Sequence, residues 1–162
     1  TIIAKVLSDK SSPFLRSITI NKGSKHKINL GMAVMDGEYL VGKVVEVNYF
    51  SSRVLLLSDL NSKIPVIVEP NEIFSILSGS GKKDGVIQYS EKYDDIKPNS
   101  IIYTSGVGNL FKAGIPIGRI NQEELNEINS QKKLEEKKVE FFSDFSQLRF
   151  VKVFSFIKYE AE

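Results

Sequence analysis

The fold class is decided by residues 33–58, which read AVMDGEYLVGKVVEVNYFSSRVLLLS. Asp36-Gly37 lies between two apolar runs, and both residues tolerate the positive φ of a type I′ turn, so Met35–Glu38 predicts a tight hairpin. Asn48–Ser52 predicts a longer hairpin loop. The stretch therefore predicts three antiparallel strands, in three short β-branched and aliphatic runs: Ala33–Met35, Tyr39–Val47 and Val54–Ser58.

The same alternation of short apolar runs and turn residues extends in both directions. Ser78–Gly81 and Lys83–Gly85 are further turn signals. Many short strands at this spacing predict an all-β fold, either a sandwich or small barrels. The further predicted strands are Ile2–Leu7, Ser17–Asn21, Pro65–Val68, Phe74–Leu77, Gly85–Tyr89, Ile101–Thr104 and Pro116–Asn121.

Two C-terminal segments depart from this pattern. Residues 122–138 are rich in Glu and Lys, which predicts either a short exposed helix or a charged hairpin tip. Leu148–Tyr159 carries apolar side chains on both faces of a predicted strand, including Phe154 and Phe156. Such a strand is typical of a covered or interface position, so we expect it to pack inside the fold or at a seam between copies.

The composition excludes several classes of function. Among 162 residues there is one histidine and no cysteine, so disulfides and thiolate chemistry are excluded and a zinc site is not expected. The net charge of +2 is too small to indicate a nucleic-acid partner. No apolar run reaches the ~18 residues of a membrane span. The chain begins with Thr1, and we expect that a segment precedes it in the whole protein.

One arrangement of residues suggests an enzyme. His26, Asp59 and Ser105 occur in the order of the catalytic triad of trypsin-like hydrolases, which are built on two small β-barrels. His26 lies in a polar, basic turn with no apolar neighbours that would bury a triad, so a solvated loop histidine is the competing interpretation. A serine hydrolase on a double β-barrel is therefore kept as the alternative function.

Three weaker motifs favour structural roles. Gly106-Val107-Gly108 lacks the following helix that a nucleotide-binding loop needs, so no cofactor is expected. Asp94-Asp95 has no further oxygen ligands at regular spacing and predicts a solvated turn. Lys22, Lys25 and Lys27 could contact anionic lipid head groups or acidic glycan, but no interleaved aromatic residues are present to stack on bases.

Three segments, in this order and spacing, carry a family resemblance. They read GEYLVGKVVEV at 37–47, VLLLSDLNSKIPVIV at 54–68 and TSGVGNLFKAGIPIG at 104–118. Together they resemble the family of rod shape-determining protein MreC, closely over about residues 1–121. The chain departs from the family at Lys112, where proline is usual, and at Asn99-Ser100, where Gly-Asp is usual. Residues 122–138 are longer and more charged than the usual connection.

The resemblance implies two small β-barrel lobes, which we place at residues 1–58, completed by a strand from 148–159, and at 59–147. It implies a non-enzymatic scaffold for bacterial cell-shape maintenance, on the periplasmic side of the inner membrane and anchored by a segment before Thr1. The implied partners are a second copy, shape-determining membrane proteins and the class B penicillin-binding transpeptidase of lateral wall (peptidoglycan) elongation.

The same resemblance selects two groups of residues. The first group forms the turns and strands of the family motifs: Gly42, Thr104, Ser105, Gly106, Gly114, Pro116 and Gly118. The second group contains candidate interaction residues: Phe111, Phe154 and Phe156. Because Leu110-Phe111 sits between glycines, we expect this pair to be exposed at a loop tip, with Phe111 closing a barrel end as the alternative.

Overall fold

The computed structural model describes residues 1–7, 16–88, 96–121 and 137–155. These residues form twelve β-strands and two single turns of 3₁₀ helix, at Ser24–His26 and Val107–Asn109, which confirms the all-β prediction. The strands are β1 Ile2–Lys5, β2 Ser17–Ile20, β3 Ala33–Asp36, β4 Tyr39–Val47, β5 Ser52–Leu56, β6 Lys63–Glu69, β7 Ile73–Gly79, β8 Gly85–Gln88, β9 Ile101–Thr104, β10 Pro116–Ile120, β11 Lys137–Phe141 and β12 Phe150–Phe154.

The first sheet has six strands in the order β1-β12-β3-β4-β5-β2. Its two edge strands meet through an antiparallel bridge between Val6 and Ile20. The Leu7 N–H donates to the Thr19 carbonyl at 2.8 Å, and the Asn21 N–H donates to the Lys5 carbonyl at 3.0 Å. The sheet is therefore almost closed on itself, and β12 lies between β1 and β3.

The second sheet is a closed barrel in the order β10-β11-β8-β7-β6-β9. All of its paired strands are antiparallel, and the longest pairing joins β6 and β7 from Lys63↔Ser78 to Val68↔Ile73. In β6, buried residues alternate with less buried ones, as expected when one face of a strand points into a barrel.

The two sheets share one apolar core. Strand β4 contacts β10 of the barrel, and the Tyr39 and Phe142 rings are 5.1 Å apart across this boundary. The covalent connection runs through Asp59, which is fully buried. Its carboxylate accepts hydrogen bonds from the Arg16 and Asn61 N–H groups, each at 2.7 Å. The division of the chain into lobes at residues 58 and 59 stays a prediction, because strand pairing does not test whether the lobes are independent.

The turn of the first hairpin differs from the prediction. The tight turn of the first hairpin consists of Gly37 and Glu38, because a bulge between Val34 and Met35 shifts the pairing so that Asp36 lies opposite Tyr39. Only Gly37 has a positive φ, 58°, as in a type II′ turn, so the type I′ assignment is wrong.

The charged segment predicted over 122–138 ends earlier than expected. Strand β11 begins at Lys137 and was not predicted. Residues 122–136, for which a helix or a charged hairpin tip was predicted, lie outside the described residues, as do Asp94-Asp95 and Phe156.

Candidate interaction site

Thr104 is the polar centre of the motif at 104–118. Its side chain is buried at the end of β9. The Oγ1 hydroxyl donates to the Lys112 carbonyl at 2.5 Å and accepts from the Ile115 N–H at 2.9 Å. The Thr104 backbone is also bonded to the returning chain, because its N–H donates to the Ile115 carbonyl at 2.9 Å. One side chain therefore closes the base of the loop at 105–114.

The next residues reverse the chain direction. The Ser105 Oγ accepts a hydrogen bond from the Val107 N–H at 3.2 Å, so the hydroxyls of Thr104 and Ser105 both bond to local backbone. Gly106 and Gly114 adopt positive φ values of 78° and 87°, which few other residues tolerate. These features give Ser105 a structural contact at the start of a compact loop.

Gly42 and Gly118 lie where a neighbouring strand crosses at close range. A Cβ on Gly42 would lie 2.3 Å from the Leu55 carbonyl oxygen, and one on Gly118 would lie 2.3 Å from that of Glu140. Both close approaches involve the backbone of the same chain. Near Gly118 the pairing of β10 with β9 also shifts register after Pro116, as strands do when a small barrel bends.

Phe111 does not occupy an exposed loop tip. Its side chain is only 4% exposed, so this expectation is wrong, whereas the adjacent Leu110 is 45% exposed. Phe111 forms the floor of an open apolar groove of about 250 Å³ between the two sheets. The groove is lined by Leu30, Gly31, Lys43, Val44, Val45, Leu110 and Phe111.

The groove combines apolar surface with one cation. Leu30, 67% exposed, comes from the loop before β3, and Lys43 comes from β4. Leu110 comes from the barrel, and Val107, three residues earlier, is also exposed. A pocket of this kind can accept an apolar side chain of a partner that has an acidic residue next to it. Leu30 and Lys43 were not among the predicted site residues.

The structure does not bring the residues of the predicted triad together. One Asp59 carboxylate oxygen accepts the Arg16 N–H just before β2 and the other accepts the Asn61 N–H of its own turn, whereas Ser105 bonds within its own loop of the barrel. The Nδ1 of His26 is buried and has no hydrogen-bond partner. Within the described ranges, no hydrogen bond joins any two of the three residues, so the hydrolase alternative has no support in the geometry.

Phe154 ends β12 and is half-buried, packed against the core. Strand β12 is paired with β1 on one side and β3 on the other. Its backbone between Phe150 and Phe154 therefore cannot add to a sheet of another copy, which corrects the expectation of an open-edge seam here. On the outward face of β1 and β12, Ile3 and Phe150 are both exposed.

Three further observations concern metal ligands, titratable groups and membrane-spanning helices in the described residues. Over the residues that the structure describes, no group of three or more His, Asp or Glu side chains could hold a metal ion. Asp144 has a lowered pKa. Its carboxylate accepts hydrogen bonds from the Ser146 hydroxyl at 2.6 Å and from the Ser146 N–H at 3.0 Å, and both stabilise the charged form. Asp144 is exposed in the turn between β11 and β12, away from the groove residues in sequence. In the same described part, no helix has the length and apolarity needed to cross a membrane.

Comparison with known proteins gives one consistent result. The family model "Rod shape-determining protein MreC, barrel core" matches residues 6–155. The cell shape-determining protein MreC of Cereibacter sphaeroides is 34% identical over 91% of this chain and 46% of its own length. That of Caulobacter vibrioides is 36% identical over 71% of this chain and 33% of its own length. The chain thus spans less than half of these curated relatives.

Solved structures share the fold. The crystal structure of MreC from Pseudomonas aeruginosa has a TM-score of 0.81 and 26% identity, covering 94% of this chain and 97% of that one. MreC of Helicobacter pylori, solved in a complex with a penicillin-binding protein (PBP2), has a TM-score of 0.66 and 14% identity, covering 92% and 94%. At that identity, the second likeness concerns the fold alone.

Proposed function

This chain belongs to the MreC family of rod shape-determining proteins, and from that premise we propose that it is a non-enzymatic scaffold of the lateral wall-elongation machinery. One observation carries the proposal: the family's barrel core extends over residues 6–155, so nearly the whole chain consists of the fold that its relatives use in determining cell shape. We place it on the periplasmic side of the inner membrane, held there by an anchor before Thr1.

The proposed partner is a class B penicillin-binding transpeptidase, by analogy with the Helicobacter pylori complex. The proposed contact surface is the groove between the sheets. Its exposed rim residues, Leu30 and Leu110, flank a buried floor at Phe111, so an apolar side chain of the partner would be desolvated on three sides. Lys43 at the rim would pair with an acidic group of the partner.

The experiment measures binding of this chain to the purified periplasmic part of the transpeptidase from the same organism. Leu110→Ser should raise the dissociation constant about tenfold or more, because each apolar side chain that is buried at the centre of an interface contributes about 1.5–3 kcal/mol. Leu60→Ser is the matched control, since Leu60 is also an exposed leucine, at 60% against 45% for Leu110, but does not line the groove.

The outcomes separate the function from the surface. If the transpeptidase does not bind the unaltered chain, and an affinity capture of the full-length protein recovers no wall-synthesis protein, the scaffold function is wrong. If Leu60→Ser and Leu110→Ser weaken binding equally, the groove is not the contact.

We also propose that the scaffold associates with itself through the outward face of β1 and β12. Ile3 and Phe150 project from this face next to Lys152 and Lys5, their respective register partners. Phe150→Ser should shift sedimentation towards the monomer, whereas Phe74→Ser, which alters an exposed aromatic residue of the barrel, should not. A strictly monomeric protein at high concentration would contradict this proposal.

A further inference from the structure

The basic turn at Lys22–Lys27 is joined in space to the tip of the β4–β5 hairpin. The Ser24 N–H donates to the Asn48 carbonyl at 2.9 Å, and the Lys25 N–H donates to the Tyr49 carbonyl at 3.1 Å. The Ser52 hydroxyl donates to the Lys22 carbonyl at 2.8 Å. We call this combined surface, residues 22–27 and 48–51, the hairpin tip.

Gly23 makes this close contact possible. A Cβ at this position would lie 2.0 Å from the Asn48 carbonyl oxygen and 2.6 Å from that of Tyr49, closer than any side chain allows. The backbone of the basic turn is thus packed directly onto the hairpin loop. The lysines and the loop side chains are therefore held in one rigid surface rather than on two independent loops.

The loop contributes two exposed aromatic rings. Tyr49 is 59% exposed and Phe50 is 62% exposed, and their rings meet edge to face at 4.6 Å. The Lys25 ammonium lies 5.2 Å from the centre of the Phe50 ring, within the range of a cation–π contact. This pairing could not be predicted from sequence, because the lysines and the aromatic residues lie more than twenty positions apart.

The charge of the hairpin tip and its flanks is positive. Lys22, Lys25, Lys27 and Arg53 give four positive charges, and Glu46 gives one negative charge, a net of +3. Glu46 is paired with Arg53 at 3.5 Å, and in the part of the chain that the structure describes no salt bridge joins a carboxylate to Lys22, Lys25 or Lys27. Lys25 and Lys27 are exposed, and Lys22 is half-buried. This arrangement complements an anionic surface.

The tip lies at the end of β4 and β5 that is opposite to the chain connection to the barrel. Strand β4 runs from Gly42, opposite Leu56 beside the connection to the barrel, to Val47 at the tip, a distance of about 17 Å for a strand rise of ~3.3 Å. Strand β1 also starts at this end, because Val6 pairs with Ile20 and the chain runs antiparallel from there. Under the anchor proposed above, the membrane-bound segment would approach the domain from this side.

The shape of the tip indicates which anionic surface it fits. The Tyr49 and Phe50 rings meet edge to face at 80°, so they do not form two parallel walls between which a sugar or a peptide side chain could be held. They can enter a deformable interface, where an aromatic ring replaces water and adjacent lysines contact the phosphates. We propose that the hairpin tip docks on the surface of a bilayer that contains anionic phospholipid.

The experiment is co-sedimentation of the 162-residue chain with lipid vesicles, for which neither a transpeptidase nor the anchor is needed. Vesicles of phosphatidylcholine are compared with vesicles of phosphatidylcholine and phosphatidylglycerol. The chain should bind the second kind only, and the partition coefficient should fall steeply as salt is raised. The combined change Lys22→Gln, Lys25→Gln and Lys27→Gln should reduce partition roughly 100-fold, at about fivefold per lysine.

The aromatic contribution is tested separately. Phe50→Ser should reduce partition about tenfold, since the ring would be about half desolvated on insertion. The matched control for this change is Phe74→Ser. The matched control for charge is the combined change Lys63→Gln, Lys82→Gln and Lys83→Gln, which removes the same charge from exposed positions of the barrel. Far-ultraviolet circular dichroism confirms that each variant is folded.

Several results would overturn the proposal. The first is that the chain does not bind anionic vesicles. The second is that the tip variants and the barrel variants lose the same amount of partition. The third is that soluble glycerol phosphate or an acidic polysaccharide competes with an affinity equal to that for vesicles. Competition of that kind would assign the tip to a phosphate or a glycan instead. Failure with vesicles while the transpeptidase still binds would refute the membrane contact and leave the scaffold function intact.

Discussion

Thr104→Val removes one hydroxyl and keeps the shape of the side chain, so it tests how the motif loop is held. In the native chain this hydroxyl serves the Ile115 N–H and the Lys112 carbonyl at the same time. Valine leaves the Ile115 N–H buried without an acceptor, at a cost of about 1–3 kcal/mol. The Lys112 carbonyl loses its donor as well, for about 1 kcal/mol more where water does not replace it. The added methyl group recovers about 0.8 kcal/mol of burial.

The expected net loss is therefore about 1–3 kcal/mol in the free energy of unfolding. With a urea m-value of about 2 kcal/mol/M, the unfolding midpoint should fall by about 1 M. Thr19→Val is the control, because Thr19 is on β2 and no hydrogen bond of its side chain is among those described, so the change should cost less than about 0.5 kcal/mol. Unfolding is followed by far-ultraviolet circular dichroism and tyrosine fluorescence, whose coincidence tests two-state behaviour.

The reasoning is refuted if Thr104→Val and Thr19→Val have the same midpoint. It is also refuted if Thr104→Val is destabilised as expected but Thr104→Ser, which keeps the hydroxyl, is destabilised at least as much. Equal losses would mean that the two hydrogen bonds of the hydroxyl are not the larger contribution of this side chain to stability.

Three other changes test separate features. Gly79→Ala should cost about 3 kcal/mol or more in a thermal or urea melt, because its Cβ would lie 2.0 Å from the Asp59 carbonyl oxygen; a loss under about 1 kcal/mol would show that the connection yields easily. Ser146→Ala should raise the pKa of Asp144 in an NMR titration, because the Ser146 hydroxyl is the main cause of the lowered pKa; the carboxylate's stabilising effect is present above its ordinary pKa of 3.8 and is lost as the pH falls through the folded-state pKa. A fluorophosphonate probe should leave Ser105 unlabelled, and stoichiometric labelling there would restore the hydrolase alternative.

The strands could be predicted from sequence where the alternation of side chains is uninterrupted. The hairpin at residues 33–47 was located correctly, but its turn type was not, because a bulge between Val34 and Met35 shifts the register by one residue. Such a bulge changes which residues face each other without changing the composition of either strand. Strand β11 was missed because Val139 and Phe141, its buried residues, alternate with charged residues at the end of a long charged segment.

A departure from the family pattern at the start of β9 has a simple structural counterpart. Asn99 adopts a φ of 66°, in the left-handed region that glycine enters most easily. Asparagine is the side chain that best replaces glycine there, since it tolerates this conformation better than most residues do. The chain therefore keeps the turn while changing the residue.

The interaction surfaces could not be predicted in the same way. The groove is formed by Leu30, Lys43 and Leu110, which come from three distant segments and from both sheets. No local pattern reports such a contact, because each residue is unremarkable in its own neighbourhood. Phe111 shows the opposite error: its neighbouring glycines predict an exposed tip, but the positive φ values that they adopt fold the loop back, so that Leu110 faces solvent and Phe111 faces the core.

The closure of both sheets constrains how this domain can bind other molecules. The barrel has no free edge among its six strands, and the edges of the first sheet meet at Val6 and Ile20. Addition of a partner's strand, the commonest way for β-proteins to associate, therefore has no template along these strands. Contacts must instead use side chains, and the surfaces proposed for them are the groove, the outward face of β1 and β12, and the hairpin tip, each of which exposes apolar side chains. Because these places share no residues, each proposed contact can be abolished by its own substitution while the other two are retained.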